Sequence, residues 1–285
     1  MWRVSPDGLI KDPWKKLTNV FEMDILTFCG LYNTIKQNRH NPYEDIITEY
    51  NNILRKIPDI PFSNIWIAKE LSKKLPTNSV VHLGILNSLR AWNFFYENEG
   101  VETCSNVGGF GIDGGVSTLI GASFANPGKL YYGIFGDLAF FYDMNVLGNR
   151  HVGNNLRIII INNGRGTEFR NYSHDCYIFG EKADDYLAAA GHFGNKSTSL
   201  VKHYAEDLGY KYFTASTKQE FNDCIDDFLA FRGSSVVFEL FTRSEDESEA
   251  LKRIINIEYD ASFVFSKKIH NNIHEIKKTI LNKFK

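Results

Sequence analysis

Residues Arg157-Ile-Ile-Ile-Ile161 form a continuous apolar, β-branched run. A strand with one wet face alternates apolar and polar residues; a strand covered on both faces has no need to. This run therefore asks for a parallel sheet with helices on each side. The remaining pattern agrees. Strand candidates Ser79–Leu86, Leu130–Phe135, Arg157–Ile161, Lys211–Thr214 and Ser234–Leu240 alternate with helix candidates Ile65–Lys74, Asp113–Ala122, Ala139–Leu147, Ser199–Leu208 and Gln219–Arg232. Such alternation predicts an α/β fold, a doubly wound parallel sheet flanked by helices. Leu200, Tyr204 and Leu208 recur at helical spacing before Gly209, which reads as the helix stop.

The two ends read differently from the middle. Trp2–Val4 followed by Ser5-Pro-Asp-Gly8 predicts a strand closed by a turn, and a mixed helical stretch then runs to Pro58 and Pro61. Residues 1–60 are read as the end of a preceding middle domain plus a linker, and 61–255 as the main domain. The segment 256–285 is read as a helical extension, its Phe263–Lys285 stretch being a Lys-rich amphipathic helix. Composition narrows the classes. Lys+Arg number 32 against Asp+Glu 34, a net charge of −2, which argues against a basic nucleic-acid binder. No apolar run reaches the roughly 18 residues of a membrane span. The first 25 residues carry charges throughout, unlike a secretory signal. Cys29, Cys104, Cys176 and Cys224 form no CxxC pair. They are expected to be free thiols in a cytoplasmic protein with neither nucleic acid nor membrane as partner.

The chemistry concentrates at two strand ends. Gly136-Asp137 follows strand Leu130–Phe135, and Asn162-Asn163 follows strand Arg157–Ile161, with one helix between. A right-handed βαβ crossover makes these strands neighbours and puts both motifs at their carboxyl ends, where open α/β sheets bind ligands. A carboxylate and an amide oxygen facing one crevice suit Mg2+, which prefers oxygen donors and commonly bridges protein to phosphates. Either motif alone is ordinary turn chemistry. The pair, 26 residues apart across one βαβ unit, is far more specific. A second motif, Gly109-Phe-Gly-Ile-Asp-Gly114, matches the dinucleotide fingerprint G-x-G-x-x-G. Its preceding segment Glu102–Asn106 is polar rather than an apolar strand, and a dinucleotide reading leaves Asn162-Asn163 unexplained.

The Gly-Asp…Asn-Asn arrangement resembles the cofactor motif of thiamine diphosphate enzymes. Ser105-Asn-Val-Gly-Gly-Phe-Gly-Ile-Asp-Gly114, Gly136-Asp-Leu138 with Tyr142-Asp-Met-Asn145, Ile161-Asn-Asn-Gly164 and Asn87-Ser88-Leu89 together resemble the 2-succinyl-5-enolpyruvyl-6-hydroxy-3-cyclohexene-1-carboxylate synthases, over about residues 60–255. The resemblance implies thiamine diphosphate and Mg2+ as cofactors. Asp137, the Asn163 side chain and the Arg165 backbone carbonyl would ligate the metal. Ile112 would be the apolar wedge under a bent cofactor. Asn106, Gly111 and Asp113 would line its phosphate and pyrimidine surroundings, with Ser88, Gly136, Leu138 and Phe169 as further contacts. The residues agree with this: glycines 108, 109 and 111 permit close approach of a ligand, and a helix starting near Asp113 offers its amino end to phosphate. Two family arginines that grip substrate carboxylates are replaced here by Trp92 and Val107, and position 168 is Glu instead of apolar. A relative with another substrate, such as a different 2-oxo acid, is expected.

Arg165, Glu168, His174 and His192 are weaker candidates for acid/base or substrate contact; for any single one of them, a surface or capping role is the commoner outcome. Among thiamine diphosphate enzymes the activating glutamate sits on a separate pyrimidine-binding domain, and no segment here matches it. The expectation is the carboxyl half of a decarboxylating synthase, a carboligase that needs a pyrimidine-binding domain or subunit in a homo- or hetero-oligomer and is inactive alone. A simple 2-oxo acid decarboxylase and a noncatalytic binding subunit are the alternatives.

Overall fold

The computed structural model describes residues 1–32, 42–95, 98–109, 111–187 and 197–257. His192 and the helix expected over 263–285 lie outside the described residues. The chain divides into two compact units, Met1–Leu54 and Arg55–Lys285.

In the first unit, β1 (Trp2–Val4) pairs in parallel with β2 (Asn19–Phe21), followed by α1 (Ile25–Tyr32) and α2 (Pro42–Arg55). The expected turn after β1 closes through the Gly8 amide on the Ser5 carbonyl at 3.2 Å, with Gly8 at φ +59°. Trp2, Phe21, Phe28 and Tyr32 form one aromatic cluster, with Phe28 lying 5.0 Å from Phe21 and 4.8 Å from Tyr32 between ring centres.

The second unit opens with α3 (Asn64–Leu71), whose first turn is capped by Ser63: its hydroxyl accepts the Trp66 amide at 3.3 Å. Then come β3 (Val80–Leu83), α4 (Asn87–Trp92), β4 (Glu102–Ser105), α5 (Gly115–Ala125), β5 (Tyr131–Gly136) and α6 (Asp137–Asp143). After these follow β6 (Leu156–Asn162), α7 (Leu200–Asp207), β7 (Lys211–Ala215), α8 (Lys218–Ala230), β8 (Val236–Phe241) and α9 (Ser244–Ile255). Short 3-10 turns span Thr167–Arg170 and Asp175–Asp185. The six strands β3–β8 form one sheet in the order β4-β3-β5-β6-β8-β7, every pair parallel. The chain steps from β3 outward to β4, then returns to the opposite side of β3 to lay down β5. The order reverses between β3 and β5, and such a reversal leaves a crevice beyond the strands' carboxyl ends.

Period-two alternation distributes the core to both faces of the sheet. Ile158 and Ile160 of β6 join Leu119, Phe135, Phe140 and Val201 on one face, the side of α5, α6 and α7. On the other, Phe238 of β8 stacks on Phe221 at 5.8 Å and meets Phe228 at 5.1 Å, both from α8, while Trp66 of α3 sits edge-on to Phe221 at 5.3 Å. This is the doubly wound α/β fold, and all seven residues of β6 are buried, as the isoleucine run requires.

One expectation is corrected. The polar segment Glu102–Asn106 does contain a strand, β4. It is one edge of the sheet, paired with β3, and three of its four residues are exposed. An edge strand meets water and needs no apolar run, so its polarity concealed it.

Candidate functional site

Asp137 is the first residue of α6 and follows directly on the tip of β5. Its carboxylate is buried; Oδ1 accepts the Leu138 amide at 2.9 Å and Oδ2 accepts the Gly164 amide at 2.7 Å. Gly164 belongs to the turn leaving β6, the neighbouring strand, and its φ of +79° is a conformation that favours glycine. The Gly-Asp and Asn-Asn motifs are thus joined by a direct hydrogen bond across adjacent strand tips. Asn162 takes part too: its Oδ1 accepts the same Gly164 amide at 3.2 Å and its Nδ2 donates to Glu239 Oε1 at 2.7 Å. The next side chain, Asn163, carries a buried Oδ1 with no hydrogen-bond partner. A buried amide oxygen without a donor is costly unless something else satisfies it. Beside an acidic side chain, that something is naturally a cation, and the donor set of carboxylate, amide oxygen and backbone carbonyl suits Mg2+. Among the described residues no group of three His, Cys, Asp or Glu gathers around a metal position, so a site rich in thiolate or imidazole has no support there.

These tips open into a small cavity of about 100 Å3. Ser88, Ile112, Gly136, Asp137, Leu138, Asn163, Arg165, Glu168 and Phe169 all line it, so nine residues singled out in the sequence meet at one place. The cavity lies where β3, β5 and β6 end, at the reversal of strand order. Leu86, in its wall, holds φ +70° and ψ −116°, a strained backbone for a non-glycine residue of the kind that gathers at ligand sites.

The other candidates lie elsewhere. Asn106 spends its amide on the first turn of α5, donating to Thr118 Oγ1 at 2.9 Å. Asn106, Gly111 and Asp113 are absent from the cavity lining. His174 Nδ1 accepts the Cys176 amide at 3.0 Å, which is a capping role, and its ring packs edge-on to Phe169 at 5.2 Å. Glu168, by contrast, stands in the cavity wall and forms an ion pair with Arg90 of α4.

Sequence reasoning missed the cavity floor. Glu247 in α9 is buried; both its oxygens accept the Asn64 amide at 3.0 Å, and Thr242 Oγ1 donates to Oε1 at 2.7 Å. Burial pushes its pKa up to about 7 against the pull of those donors, and Asp246 and Asp137 add to the rise. Asn64 Nδ2 in turn donates to Ser88 Oγ at 3.3 Å, and Asn64 Oδ1 is buried without a partner. Glu247 lies in the run Glu245-Asp246-Glu247, which reads as a solvated first turn; nothing local marks which of the three carboxyls turns inward.

No protein-family model matches the chain. Curated relatives do. The 2-succinyl-5-enolpyruvyl-6-hydroxy-3-cyclohexene-1-carboxylate synthase of Bacteroides fragilis is 31% identical over 256 residues, covering 88% of this chain and 44% of the relative. The synthase of the same name from Flavobacterium psychrophilum is 39% identical over 250 residues, with 85% and 40% coverage. That from Phocaeicola vulgatus is 30% identical over 253 residues, with 88% and 44% coverage.

Over most of its length the chain is similar to 2-succinyl-5-enolpyruvyl-6-hydroxy-3-cyclohexene-1-carboxylate synthases. It spans less than half the length of these synthases. At the two positions where the resemblance calls for a substrate-gripping arginine, the synthase-like fold here carries a fully buried Trp92 and an exposed Val107. Neither side chain can fork onto a carboxylate. The nearby guanidinium, Arg90, is engaged by Glu168.

Proposed function

We propose that this chain is the diphosphate-binding half of a thiamine diphosphate-dependent 2-oxo acid decarboxylating synthase, a carboligase. The observation that carries the reading is the Asp137–Gly164 hydrogen bond with the orphaned Asn163 Oδ1 beside it. Asp137, Asn163 and the Arg165 carbonyl would hold Mg2+, and the metal would hold the diphosphate. Ile112, Leu138 and Phe169 supply apolar wall, while Gly136 and Ser88 line the rest. When bound, thiamine diphosphate supplies the carbanion chemistry that decarboxylates a 2-oxo acid. The chain's own residues anchor, orient and exclude water.

A cavity of about 100 Å3 is well short of the several hundred Å3 that enclose a cofactor-sized ligand. This supports a partner, a pyrimidine-binding domain or subunit, that completes the enclosure in a homo- or hetero-oligomer and brings the activating glutamate. No helix among the described residues is long and apolar enough to cross a membrane. A cytoplasmic location is part of the same reading. Trp92 and Val107 favour a 2-oxo acid or acceptor different from the relatives'. They leave a simple decarboxylase, or a subunit that binds without turnover, as the competing readings.

Calorimetric titration of the chain with thiamine diphosphate and Mg2+ tests the anchor. Asp137→Ala is expected to abolish the Mg2+-dependent part of binding. Equal binding by parent and variant refutes the reading. Reconstitution with the pyrimidine-binding partner, with and without acceptor aldehydes or enoates, separates carboligation from plain decarboxylation by product analysis.

A further inference from the structure

Glu239 is a carboxylate in the middle of the sheet. It lies on β8, 1% exposed, opposite Ile160 of β6 on one side and Thr214 of β7 on the other. Desolvating an ionised side chain there costs several kcal/mol, and a leucine or valine would fill the same space without that penalty. Two donors converge on it. Tyr212 Oη donates to Oε2 at 2.7 Å and Asn162 Nδ2 donates to Oε1 at 2.7 Å. Burial raises its pKa, while those two donors favour the ionised form and Asp137 opposes it.

The hydrogen bonds continue in one direction. Because Nδ2 of Asn162 is taken by Glu239, its Oδ1 must point the other way, and there it accepts the Gly164 amide at 3.2 Å. Gly164 shares that amide with Asp137 Oδ2 at 2.7 Å. A chain therefore runs from β7 through β8 and β6 to the tip of β5: Tyr212, Glu239, Asn162, Gly164, Asp137. Asn163 sits inside it, between two residues whose positions are fixed.

We propose that Glu239 is a positioning residue for the cation site: it sets the direction of the Asn162 amide, and so the turn that presents Asn163 Oδ1 and Asp137 to one metal ion. The inference rests on the reading given above. In Glu239→Leu both acceptors are gone, so Asn162 Nδ2 loses the partner that fixes the direction of its amide. In Tyr212→Phe the carboxylate keeps its bond to Asn162.

The test uses the full chain, titrating Mg2+ at fixed thiamine diphosphate by calorimetry, with ligand-free melting measured alongside. Glu239→Leu is expected to weaken the apparent Mg2+ affinity about 10- to 100-fold, the usual effect of removing an outer-shell partner of a metal ligand. Tyr212→Phe is expected to change it less than about threefold, a difference that a general loss of stability would not produce. Asn162→Ala, which deletes the oriented amide and leaves Glu239 in place, is expected to match Glu239→Leu and serves if that variant fails to fold. Parental Mg2+ affinity in either Glu239→Leu or Asn162→Ala overturns the inference, provided Asp137→Ala is impaired. If Asp137→Ala binds as the parent does, it is the cofactor reading itself that has failed.

Discussion

Replacing Glu247 by glutamine isolates the energetic consequence of a carboxyl group under the cavity. The side chain keeps its size and still offers an oxygen to the Asn64 amide, while Thr242 can turn its hydroxyl to accept from the new amide. In the parent, burial carries this acid from its ordinary 4.5 to about 7. That displacement corresponds to about 3 kcal/mol between its protonation states. The sign follows from proton counting. Between pH 4.5 and 7 the folded protein holds a proton that the unfolded chain has released, so stability falls as pH rises through this window and levels off above it. Urea unfolding of parent and Glu247→Gln at pH 5 and pH 8 reads the effect directly. The two proteins are expected to be nearly equal at pH 5. By pH 8 the glutamine variant should be the more stable, by up to about 3 kcal/mol. Glu239 is shifted in the same direction but is present in both proteins, so it cancels from the comparison. A parent-to-variant difference that does not change with pH would refute the reasoning.

Two further substitutions probe the sheet. In Gly133→Ala the added methyl would run into the Phe135 ring and a Leu119 methyl, so overpacking is expected to cost about 1–3 kcal/mol, read as a lower urea midpoint at constant slope; an unchanged midpoint would show that α5 yields freely. Arg157→Met removes a buried guanidinium that donates to the Leu156 carbonyl at 2.6 Å and to the Phe231 carbonyl at the end of α8. Losing these bonds from a charged donor is expected to cost about 1.5–3 kcal/mol in the same assay, and parental stability would contradict that.

What could be read in advance depended on how strongly burial constrains each residue. Ile158–Ile161 admitted one interpretation because no exposed strand tolerates four such residues in a row. The strand tips were legible for a related reason: a turn glycine, a carboxylate and two amides can each be ordinary, but their spacing fixes them on neighbouring tips. α4 went unrecognised because Asn87–Trp92 is only six residues long, too short to show a period. Glu247 was hidden because its inward turn depends on Asn64, 183 residues away in sequence. Asn106 shows the converse. Its motif is recognisable, yet Thr118 and the start of α5 take its amide in this structure.

The bond from Gly164 to Asp137 has an evolutionary corollary. Its donor is main chain, so exchanging the residue at 164 leaves the N–H in place unless the newcomer is proline, and proline's ring fixes φ near −65°, far from the +79° required. Half of this contact therefore survives the loss of a side chain, but any residue other than glycine at 164 strains the turn, so drift that dismantles the contact acts through codon 137, through codon 164 or through neighbours that move the turn. A descendant that abandoned the chemistry would be expected to show the change at one of those two codons.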